Sequence, residues 1–466
     1  MKTLALCAVV ATGAIALTEA RQVVRPDMGN VGAVFAKWTA ATPGCAVGAS
    51  SDGRVILNTA YGMADLEHDV PNTADTIFEA GSVSKQFTAA AVLLLAREGK
   101  LSLDDQVRQY IPELPDYGAP LTIRHMLMHM SGLRDWGNIE GIAGWPRGTR
   151  VYTHAHVLDI VSRQKALNFT PGAQYSYSNT GYNLAAIIVT RVSGMAFAEF
   201  SKQRIFTPLG MTHTSWRDDF RRVVKNRAIA YEQTGQGFVQ DMPFENIHGN
   251  GGLLTTVGDL LKWNENFVSP KVGDAGFVKE QETPGAFNDG KMGTYALGLV
   301  VDTYRGQREI GHSGSTAGYR AHLVRYPEKK LSVAVLCNVS TGTATVYAHA
   351  VANLLMPGVF TAAPAAAPAP PARTILRPSS AELKPLEGTY VSDEAETTLT
   401  AELLDGGVLA LKRRPDTVIR LVPTATPDVF QAGTLGSVSF RRDATGKGAA
   451  LSVRQDRVFD LRFDRR

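Results

Sequence analysis

The chain has 466 residues, 44% of them apolar and 20% charged, and a formal net charge of +4 at pH 7. This length exceeds what a single ordinary hydrophobic core accommodates, so two domains are expected. Acidic residues are interspersed among the basic ones, which excludes the basic stripe of a nucleic-acid-binding protein.

The first twenty residues, MKTLALCAVVATGAIALTEA, have the pattern of a secretory signal. Lys2 precedes an apolar run over residues 4–15, and small-residue cleavage sites end at Ala16 and Ala20. The run is shorter than the ~20 apolar residues that span a bilayer. We therefore expect residues 1–20 to be a signal peptide. We also expect the protein to be periplasmic or secreted and to have no stable membrane span after signal removal.

Residues 21–358 show an α+β pattern. Two strand-like runs come first, CAVGASSDG and RVILNTAYG, joined by a turn at Asp52-Gly53. Helical patterns follow in TIRHMLMHMSGL, YNLAAIIVTRVSG and TVGDLLKWNENFV, and strands return in YALGLVVDTY, REIGHSGS, YRAHLVRYP and LSVAVLCN. Strands at both ends with helices between them predict one antiparallel sheet flanked by helices.

Two cysteines remain once Cys7 of the signal is set aside. Cys45 and Cys337 both lie in runs that predict buried strands. In an oxidising compartment they can form a disulfide. Two free buried thiols that pack as small apolar residues are an equal alternative, and the sequence leaves both open.

The segment TAAPAAAPAPPAR is almost wholly alanine and proline and predicts a semi-extended linker, because it cannot build a core. We place this linker at residues 359–375 and a separate accessory domain at residues 376–466. The tail alternates apolar and polar residues in GGVLALKRR, TVIRLVPT, SVSFRRD and RVFDLRFDRR, the period of half-exposed strands. A small all-β barrel-like domain or a sandwich is expected, since open sheet edges invite aggregation.

The stretch FEAGSVSKQFTAAAVLLLA places two serines and a lysine at the start of an apolar helix. Ser82 and Lys85 are spaced i, i+3 and share one helix face. Ser82 would lie at the helix N-terminus, where free N–H groups favour developing negative charge. Burial would lower the pKa of Lys85, which could then accept the serine proton. This predicts a nucleophile with its activator and leaves Ser84 a bystander, whereas the alternative is a lysine that reaches solvent.

Two later motifs add candidate site residues. Tyr177 and Asn179, in YSN, offer a phenol that can shuttle protons and an amide that can orient the lysine or a substrate amide. His312 and Gly314 lie in a strand-like run ending in glycines, which can offer an N–H group to an oxyanion. Each motif alone is weak, but their order along the chain is specific.

With these motifs in that order, the segment from Val34 to Ser340 resembles the serine β-lactamase and penicillin-binding-protein-like superfamily. The resemblance is strongest to the class C β-lactamase-related branch and its D-aminopeptidase- and esterase-like members. It extends over IRHMLMHMSGL, PGAQYSYSNTGYNLAAIIVTRVSG, IFTPLGMTHTSW and GGLLTTVGDLLKW. It implies the β-lactamase/transpeptidase fold, in which an all-helical subdomain accompanies the flanked sheet.

The resemblance also implies roles for the matching residues. Ser82 would be the acylated nucleophile, Lys85 the proton acceptor, and Tyr177 an assisting base that later activates water. The implied substrate-binding residues are Asn179, His312, Gly314 and Ser315, with the backbone N–H groups of Ser82 and Ser315 as the oxyanion hole.

No cofactor and no metal ion are expected. His125 and His129 are spaced i, i+4 on a predicted helix, but no acidic residue stands beside His125 as a zinc protease motif requires. A supporting or core role is expected for His129.

His312 stands where many relatives carry the lysine of a Lys-Thr-Gly motif. A histidine titrates near pH ~6.5 and offers a weaker charge to a substrate carboxylate than lysine does. The weaker charge argues against efficient β-lactam hydrolysis. The histidine-x-glycine form is similar to that of D-aminopeptidase-like and other peptidase or esterase relatives. Arg320 can replace the missing cation or can be a solvated strand residue.

We therefore expect a serine hydrolase of amide or ester bonds that forms an acyl-enzyme on Ser82 and acts on D-amino-acid-containing peptides. The alternatives are a promiscuous carboxylesterase, a DD-carboxypeptidase or weak β-lactamase, and a non-catalytic protein that binds cell-wall peptides. A small peptide or ester is the expected partner and nucleic acid is not, whereas the oligomeric state stays open.

Overall fold

The structure is a computed structural model that describes residues 30–362, 375–413 and 416–466. The predicted signal peptide, residues 1–20, and residues 363–374 of the predicted linker lie outside the described residues. Within the described residues the helices are α1 (Val31–Val34), α2 (Lys85–Arg97), α3 (Ile123–Leu127), α4 (Trp136–Ala143), α5 (His154–Ser162), α6 (Asn179–Ser193), α7 (Phe197–Ser201), α8 (Thr207–Leu209), α9 (Val257–Glu265), α10 (Ala275–Glu282), α11 (Ala344–Leu355) and α12 (Ser380–Leu383).

The strands before the linker form one main antiparallel sheet and several short pairings. They are β1 (Cys45–Ser51), β2 (Arg54–Tyr61), β3 (Met63–Asp65), β4 (Val70–Pro71), β5 (Phe78–Glu79), β6 (Ser215–Trp216), β7 (Tyr231–Thr234), β8 (Gly237–Gln240), β9 (Leu253–Thr255), β10 (Val300–Tyr304), β11 (Gln307–Thr316), β12 (Tyr319–Tyr326) and β13 (Leu331–Cys337). Among the described residues the main sheet has the order β10-β11-β12-β13-β1-β2. The two ends of the segment thus pair in one sheet, as the sequence predicts.

Both faces of the main sheet are covered. Alternate residues of β1 point to opposite sides of the sheet, and each set is buried in a different core. Cys45 and Val47 pack in the core formed with α1 and α11. Ala46 belongs to the second core, which contains Val257 and Leu261 of α9. Cys45 lies opposite Cys337 in the register of β1 and β13, and the two cysteines form a disulfide. The structure therefore selects the paired alternative.

A group of helices packs around α2, whose residues 85–95 are all buried. Helix α6 lies against α2, and α3, α4 and α5 lie against α6. Gly194, with φ of 70°, ends α6 in the left-handed conformation that favours glycine. This group matches the predicted all-helical subdomain.

Two predicted elements are shorter in the structure. The helix predicted over residues 122–133 ends at Leu127, and His129 has a φ of 58°, which a helix does not continue through. His125 and His129 therefore do not share a helix face. The strand predicted over residues 295–304 begins only at Val300, because Gly298 has a φ of 76° and turns the chain towards Lys85.

The tail forms a separate antiparallel sheet that almost closes on itself. Its strands are β14 (Gly388–Ser392), β15 (Thr397–Leu404), β16 (Val408–Arg413), β17 (Thr417–Arg420), β18 (Val422–Pro423), β19 (Val429–Gln431), β20 (Ser437–Arg442), β21 (Gly448–Gln455) and β22 (Val458–Arg465). Among the described residues the order is β17-β16-β15-β14-β22-β21-β20-β19-β18. The two edge strands are separated by Leu421 alone, so one stretch of chain pairs with β16 and then with β19. The predicted barrel-like fold of the tail is confirmed, whereas the domain boundaries stay predictions.

Within the described residues no single helix has the length and hydrophobicity to cross a membrane. One bent pair, Asn179–Ser193 with Phe197–Leu209 at 83°, meets those two criteria jointly.

Candidate active site

Ser82 lies in a 3₁₀ turn, Gly81–Ser84, that leads directly into α2. The turn packs against β11, and Gly81 has a φ of 50°. A methyl group on Gly81 would lie 2.6 Å from the backbone nitrogen of Ser315. The glycine thus permits the close approach that brings Ser82 beside the strand, with Lys85 at the first position of α2.

The amine of Lys85 is fully buried and has three polar contacts. Its Nζ lies 2.7 Å from the carbonyl oxygen of Asn250, 3.0 Å from Oδ1 of Asn179 and 3.1 Å from Oγ of Ser82. The first two atoms only accept hydrogen bonds, whereas the serine hydroxyl can also donate one. A neutral amine has two hydrogens for the two acceptors and a lone pair for the Ser82 hydroxyl.

Burial lowers the pKa of Lys85 well below its ordinary value. The carboxylate of Asp135 opposes this shift, whereas Arg457 and Arg147 lower the pKa further. The electrostatics therefore favour the neutral amine that the hydrogen-bond geometry accommodates, and a neutral amine can accept a proton.

Replacing Lys85 with methionine is expected to remove a pH dependence of stability. The stability contributed by a buried lysine with a lowered pKa is fully present above the pKa of lysine in the unfolded chain, ~10.4. This contribution is lost as the pH falls towards the pKa of the lysine in the folded protein. In that window the free energy of unfolding of the wild type should rise by up to about 1.4 kcal/mol per pH unit relative to Lys85→Met. Thermal unfolding from pH 7 to 10 measures this difference. The exposed-site variant Lys100→Met should track the wild type, and a Lys85→Met curve parallel to both would show that Lys85 is charged.

Tyr177 lies beside the Ser82–Lys85 pair. Its ring centre is 4.8 Å from Nζ of Lys85, and its ring also packs against the imidazole of His129. Burial raises the pKa of Tyr177, and its interaction with the Ser82 hydroxyl only partly opposes this shift. The phenol is therefore protonated at neutral pH and is placed to donate a proton.

Asn179 begins α6 and is held from two sides. Its side-chain oxygen accepts from Lys85, and its backbone N–H donates to Oδ2 of Asp135 at 2.6 Å. Asp135 also caps α4 by accepting from the backbone of Gly137. One buried carboxylate thus fixes the starts of two helices beside the candidate nucleophile.

His312 lies on β11 and is buried. Its Nδ1 lies 2.5 Å from the carbonyl oxygen of Ser313, which only accepts, so Nδ1 carries the hydrogen. The other nitrogen, Nε2, lies 2.8 Å from the hydroxyl of Tyr295, which donates to it. Burial and the nearby Lys85 lower the pKa of His312 to about 4. The titration near pH ~6.5 expected for an ordinary histidine is thus replaced by a neutral ring at neutral pH.

Gly314 and Ser315 lie on β11 next to the nucleophile turn. A methyl group on Gly314 would lie 2.0 Å from the carbonyl oxygen of Ala80 and 3.1 Å from the backbone nitrogen of Ser82. The strand and the turn are therefore in direct contact. The backbone of Ser315 thus lies beside the nucleophile turn, as an oxyanion hole built from the N–H groups of Ser82 and Ser315 would require.

These residues open into a cleft of about 780 Å³. Its lining includes every predicted site residue except the deeply buried Lys85. Among the lining residues outside the predicted set are three with polar side chains near the nucleophile: Arg147, Asn250 and Arg457. Asn250 lies in the glycine-rich run GNGG, a signal for close backbone approach. No local pattern marks Arg147 or Arg457, since each reaches the cleft only through the tertiary fold.

With this fold and this constellation of serine, lysine and tyrosine, the chain belongs to the beta-lactamase family, whose model matches residues 20–355. It is similar to a D-aminopeptidase of Brucella anthropi, 29% identical over 306 residues that cover 65% of this chain and 58% of that protein. It is also similar to penicillin-binding protein 4* of Bacillus subtilis strain 168, 28% identical over 323 residues that cover 63% and 68%. The chain thus spans less than two thirds of the D-aminopeptidase's length.

Solved structures with the same fold match either almost the whole chain or about 70% of it. The octameric penicillin-binding protein homologue from Pyrococcus abyssi matches with a TM-score of 0.63 and 27% identity, over 94% of this chain and 99% of that one. The D-amino acid amidase from Ochrobactrum anthropi SV3 matches with a TM-score of 0.58 and 23% identity, over 70% and 95%. The predicted family and fold class are confirmed.

Proposed function

We propose that this protein is a serine hydrolase that cleaves amide or ester bonds of D-amino-acid-containing peptides through an acyl-enzyme on Ser82. The observation that carries the proposal is the environment of Lys85. Two acceptors take the hydrogens of its neutral amine, and the remaining lone pair faces Oγ of Ser82 at 3.1 Å. A serine with a buried base at hydrogen-bond distance is an activated nucleophile.

The reaction follows from these contacts. Oγ of Ser82 attacks the substrate carbonyl carbon while its proton passes to Nζ of Lys85, and the backbone N–H groups of Ser82 and Ser315 stabilise the oxyanion. The phenol of Tyr177 donates its proton to the leaving nitrogen or oxygen as that bond breaks, and Lys85 returns the proton to the phenolate. Water then attacks the ester carbon, its proton restores the Ser82 hydroxyl, and the acid product leaves.

The substrate class rests on the relatives. Several similar proteins are D-aminopeptidases, and the fold is shared with a D-amino acid amidase. The complete set of Ser82, Lys85, Tyr177 and Asn179 disfavours a binding protein that has lost catalysis. We also propose that the protein acts in the periplasm or outside the cell, because the Cys45–Cys337 disulfide suits an oxidising compartment.

Covalent labelling tests the nucleophile. A fluorophosphonate probe is expected to add one equivalent to the wild-type protein, and peptide mapping should place it on Ser82. Ser84→Ala, which removes the other serine of the motif, should still be labelled. Its stability should fall because the backbone N–H of Leu253 donates to Ser84. Full labelling of Ser82→Ala, or an adduct mapped to another residue, would contradict the proposal.

A substrate panel separates the candidate activities. D-Alanine p-nitroanilide, an N-acyl-D-Ala-D-Ala peptide, p-nitrophenyl butyrate and nitrocefin represent an aminopeptidase, a carboxypeptidase, an esterase and a β-lactamase. We expect D-alanine p-nitroanilide and the N-acyl-D-Ala-D-Ala peptide to be turned over with a higher kcat/KM than the butyrate ester and nitrocefin. Turnover of the butyrate alone would identify a carboxylesterase.

A further inference from the structure

The cleft in front of Ser82 has a strongly uneven charge. Its described lining contains the guanidinium groups of Arg147, Arg320 and Arg457 and includes no aspartate or glutamate. A substrate with a free ammonium group finds no carboxylate partner on these walls. A substrate with a carboxylate finds several cations.

These cations differ in how far their charge is already matched. Arg147 forms an ion pair with Glu245, which is itself buried. Arg320 donates from Nη1 to the carbonyl oxygens of Ala317 and Tyr319, both at 2.7 Å. Among the described residues, Arg457 has one ion-pair partner, Asp456 at 3.4 Å, and the Asp456 side chain is 73% exposed. Such an exposed pair is weak, so Arg457 keeps most of its capacity to bind an anion.

Arg457 comes from the turn between β21 and β22, so the tail sheet supplies part of the cleft wall. The turn is firmly held: the carbonyl oxygen of Arg457 accepts from Nδ2 of Asn168 at 2.9 Å and from the backbone N–H of Asp135 at 3.3 Å. Asn168 also accepts from the backbone N–H of Phe459 at 2.9 Å. The guanidinium is therefore presented by an ordered backbone, which reduces the entropy lost on binding a ligand.

The position of Arg457 relative to Tyr177 gives the side of the substrate that it meets. Its guanidinium carbon lies 4.8 Å from the centre of the Tyr177 ring. Under the proposed mechanism the phenol protonates the leaving nitrogen. In a leaving amino acid with a free C-terminus, the carboxylate carbon is two bonds from that nitrogen.

We propose that Arg457 binds the α-carboxylate of the leaving amino acid, so that this enzyme releases the C-terminal residue of D-amino-acid-containing peptides. The proposal rests on the proposed serine hydrolase function and adds a direction of cleavage to it. Arg457 is the specificity-determining residue, and the tail sheet is part of the active site. Neither His312, which is neutral and engaged by Tyr295, nor Lys85, which serves as the base, is free for this role.

A matched pair of substrates tests the proposal. An N-acyl-D-Ala-D-Ala peptide with a free carboxylate and its C-terminal amide differ only in the group that Arg457 would bind. We expect the wild type to prefer the carboxylate form by at least about tenfold in kcat/KM. Arg457→Gln should lower the ratio of the two kcat/KM values by roughly 10- to 100-fold, the range of a charge-assisted hydrogen-bond pair. Using the ratio cancels the smaller effect of Arg457 on the base, which both substrates share.

Controls separate this role from structural effects. Arg457→Lys should retain part of the preference. Arg454→Gln should leave it unchanged, since Arg454 is on the same hairpin, packs on Phe459 at 4.5 Å and does not line the cleft. Equal losses for both substrates in Arg457→Gln, or an equal wild-type rate on both, would overturn the proposal. A shift of the ratio in Arg320→Gln alone would assign the carboxylate to Arg320 instead.

Fluorophosphonate labelling keeps this test distinct from that of the proposed function. If the carboxylate peptide slows labelling of Ser82 in the wild type and its amide does not, Arg457→Gln should abolish that difference. If Ser82 is labelled but the two peptides protect it equally, carboxylate recognition fails while the serine hydrolase stands. Absence of any labelling at Ser82 would instead remove the proposed function.

Discussion

Lys85→Met is expected to slow acylation of Ser82 by roughly 10³-fold, because it removes the group that accepts the serine proton. General-base contributions are typically about 10²–10⁴-fold, and among the described residues the other titratable group that interacts with the Ser82 hydroxyl is the phenol of Tyr177. The phenol of Tyr177 cannot substitute readily, since burial raises its pKa. Methionine keeps most of the volume of the lysine side chain, so the core around α2 should remain packed.

The rate of acylation is measured by quenching the labelling reaction at successive times. The second-order rate constant for fluorophosphonate addition to Ser82 should fall in Lys85→Met and stay at the wild-type value in Lys100→Met, where the lysine is exposed. The wild-type rate should also decline as the pH falls below the pKa of Lys85, because protonation removes the lone pair. A Lys85→Met rate within a few-fold of the wild type, with an unchanged pH profile, would assign the base to another group.

The sequence predicts the proximity of Ser82 and Lys85, whose Oγ and Nζ atoms lie 3.1 Å apart, because the information is local. A spacing of three residues at the start of a continuous apolar helix determines which side chains share a face. The structure adds only that Ser82 lies in a 3₁₀ turn before α2. The acceptors that leave the lysine lone pair for the serine, Asn179 and Asn250, are 94 and 165 residues away from Lys85 in the chain. Of these only Asn179 lies in a motif that could be recognised.

The limits of the sequence prediction are equally physical. His125 and His129 fit a helical spacing, but the left-handed backbone at His129 ends the helix and turns that imidazole towards Tyr177. The alternation of apolar residues in the tail predicts its strands. It does not distinguish a barrel from a sandwich, because both bury alternate residues. Arg457 belongs to a turn with no functional pattern, and its place beside Tyr177 depends on how the tail packs on the rest of the chain.

The close contact between β11 and the nucleophile turn has a consequence for a single methyl group. Gly314→Ala would place its Cβ 2.0 Å from the carbonyl oxygen of Ala80, 3.0 Å from the carbonyl carbon and 3.1 Å from the nitrogen of Ser82. All three are backbone atoms, so no side-chain rotation can relieve the overlap. The strand and the turn must separate, which would disrupt an oxyanion hole formed by the N–H groups of Ser82 and Ser315.

We expect Gly314→Ala to lower kcat/KM by at least about 10²- to 10³-fold, the effect of losing one oxyanion-hole donor, and to lower the melting temperature as well. Gly141→Ala is the matched control, because Gly141 lies within α4 and a methyl group there meets no atom within 4 Å. That variant should keep full activity and gain slightly in stability, since alanine has a higher helix propensity than glycine.

The loss of activity in Gly314→Ala should be the same for every substrate class, because the oxyanion forms in all acyl transfers. This uniform loss contrasts with the carboxylate-selective loss in Arg457→Gln, so the two variants separate transition-state stabilisation from substrate recognition. A Gly314→Ala enzyme with wild-type kcat/KM would show that the backbone nitrogens of Ser82 and Ser315 do not form the oxyanion hole.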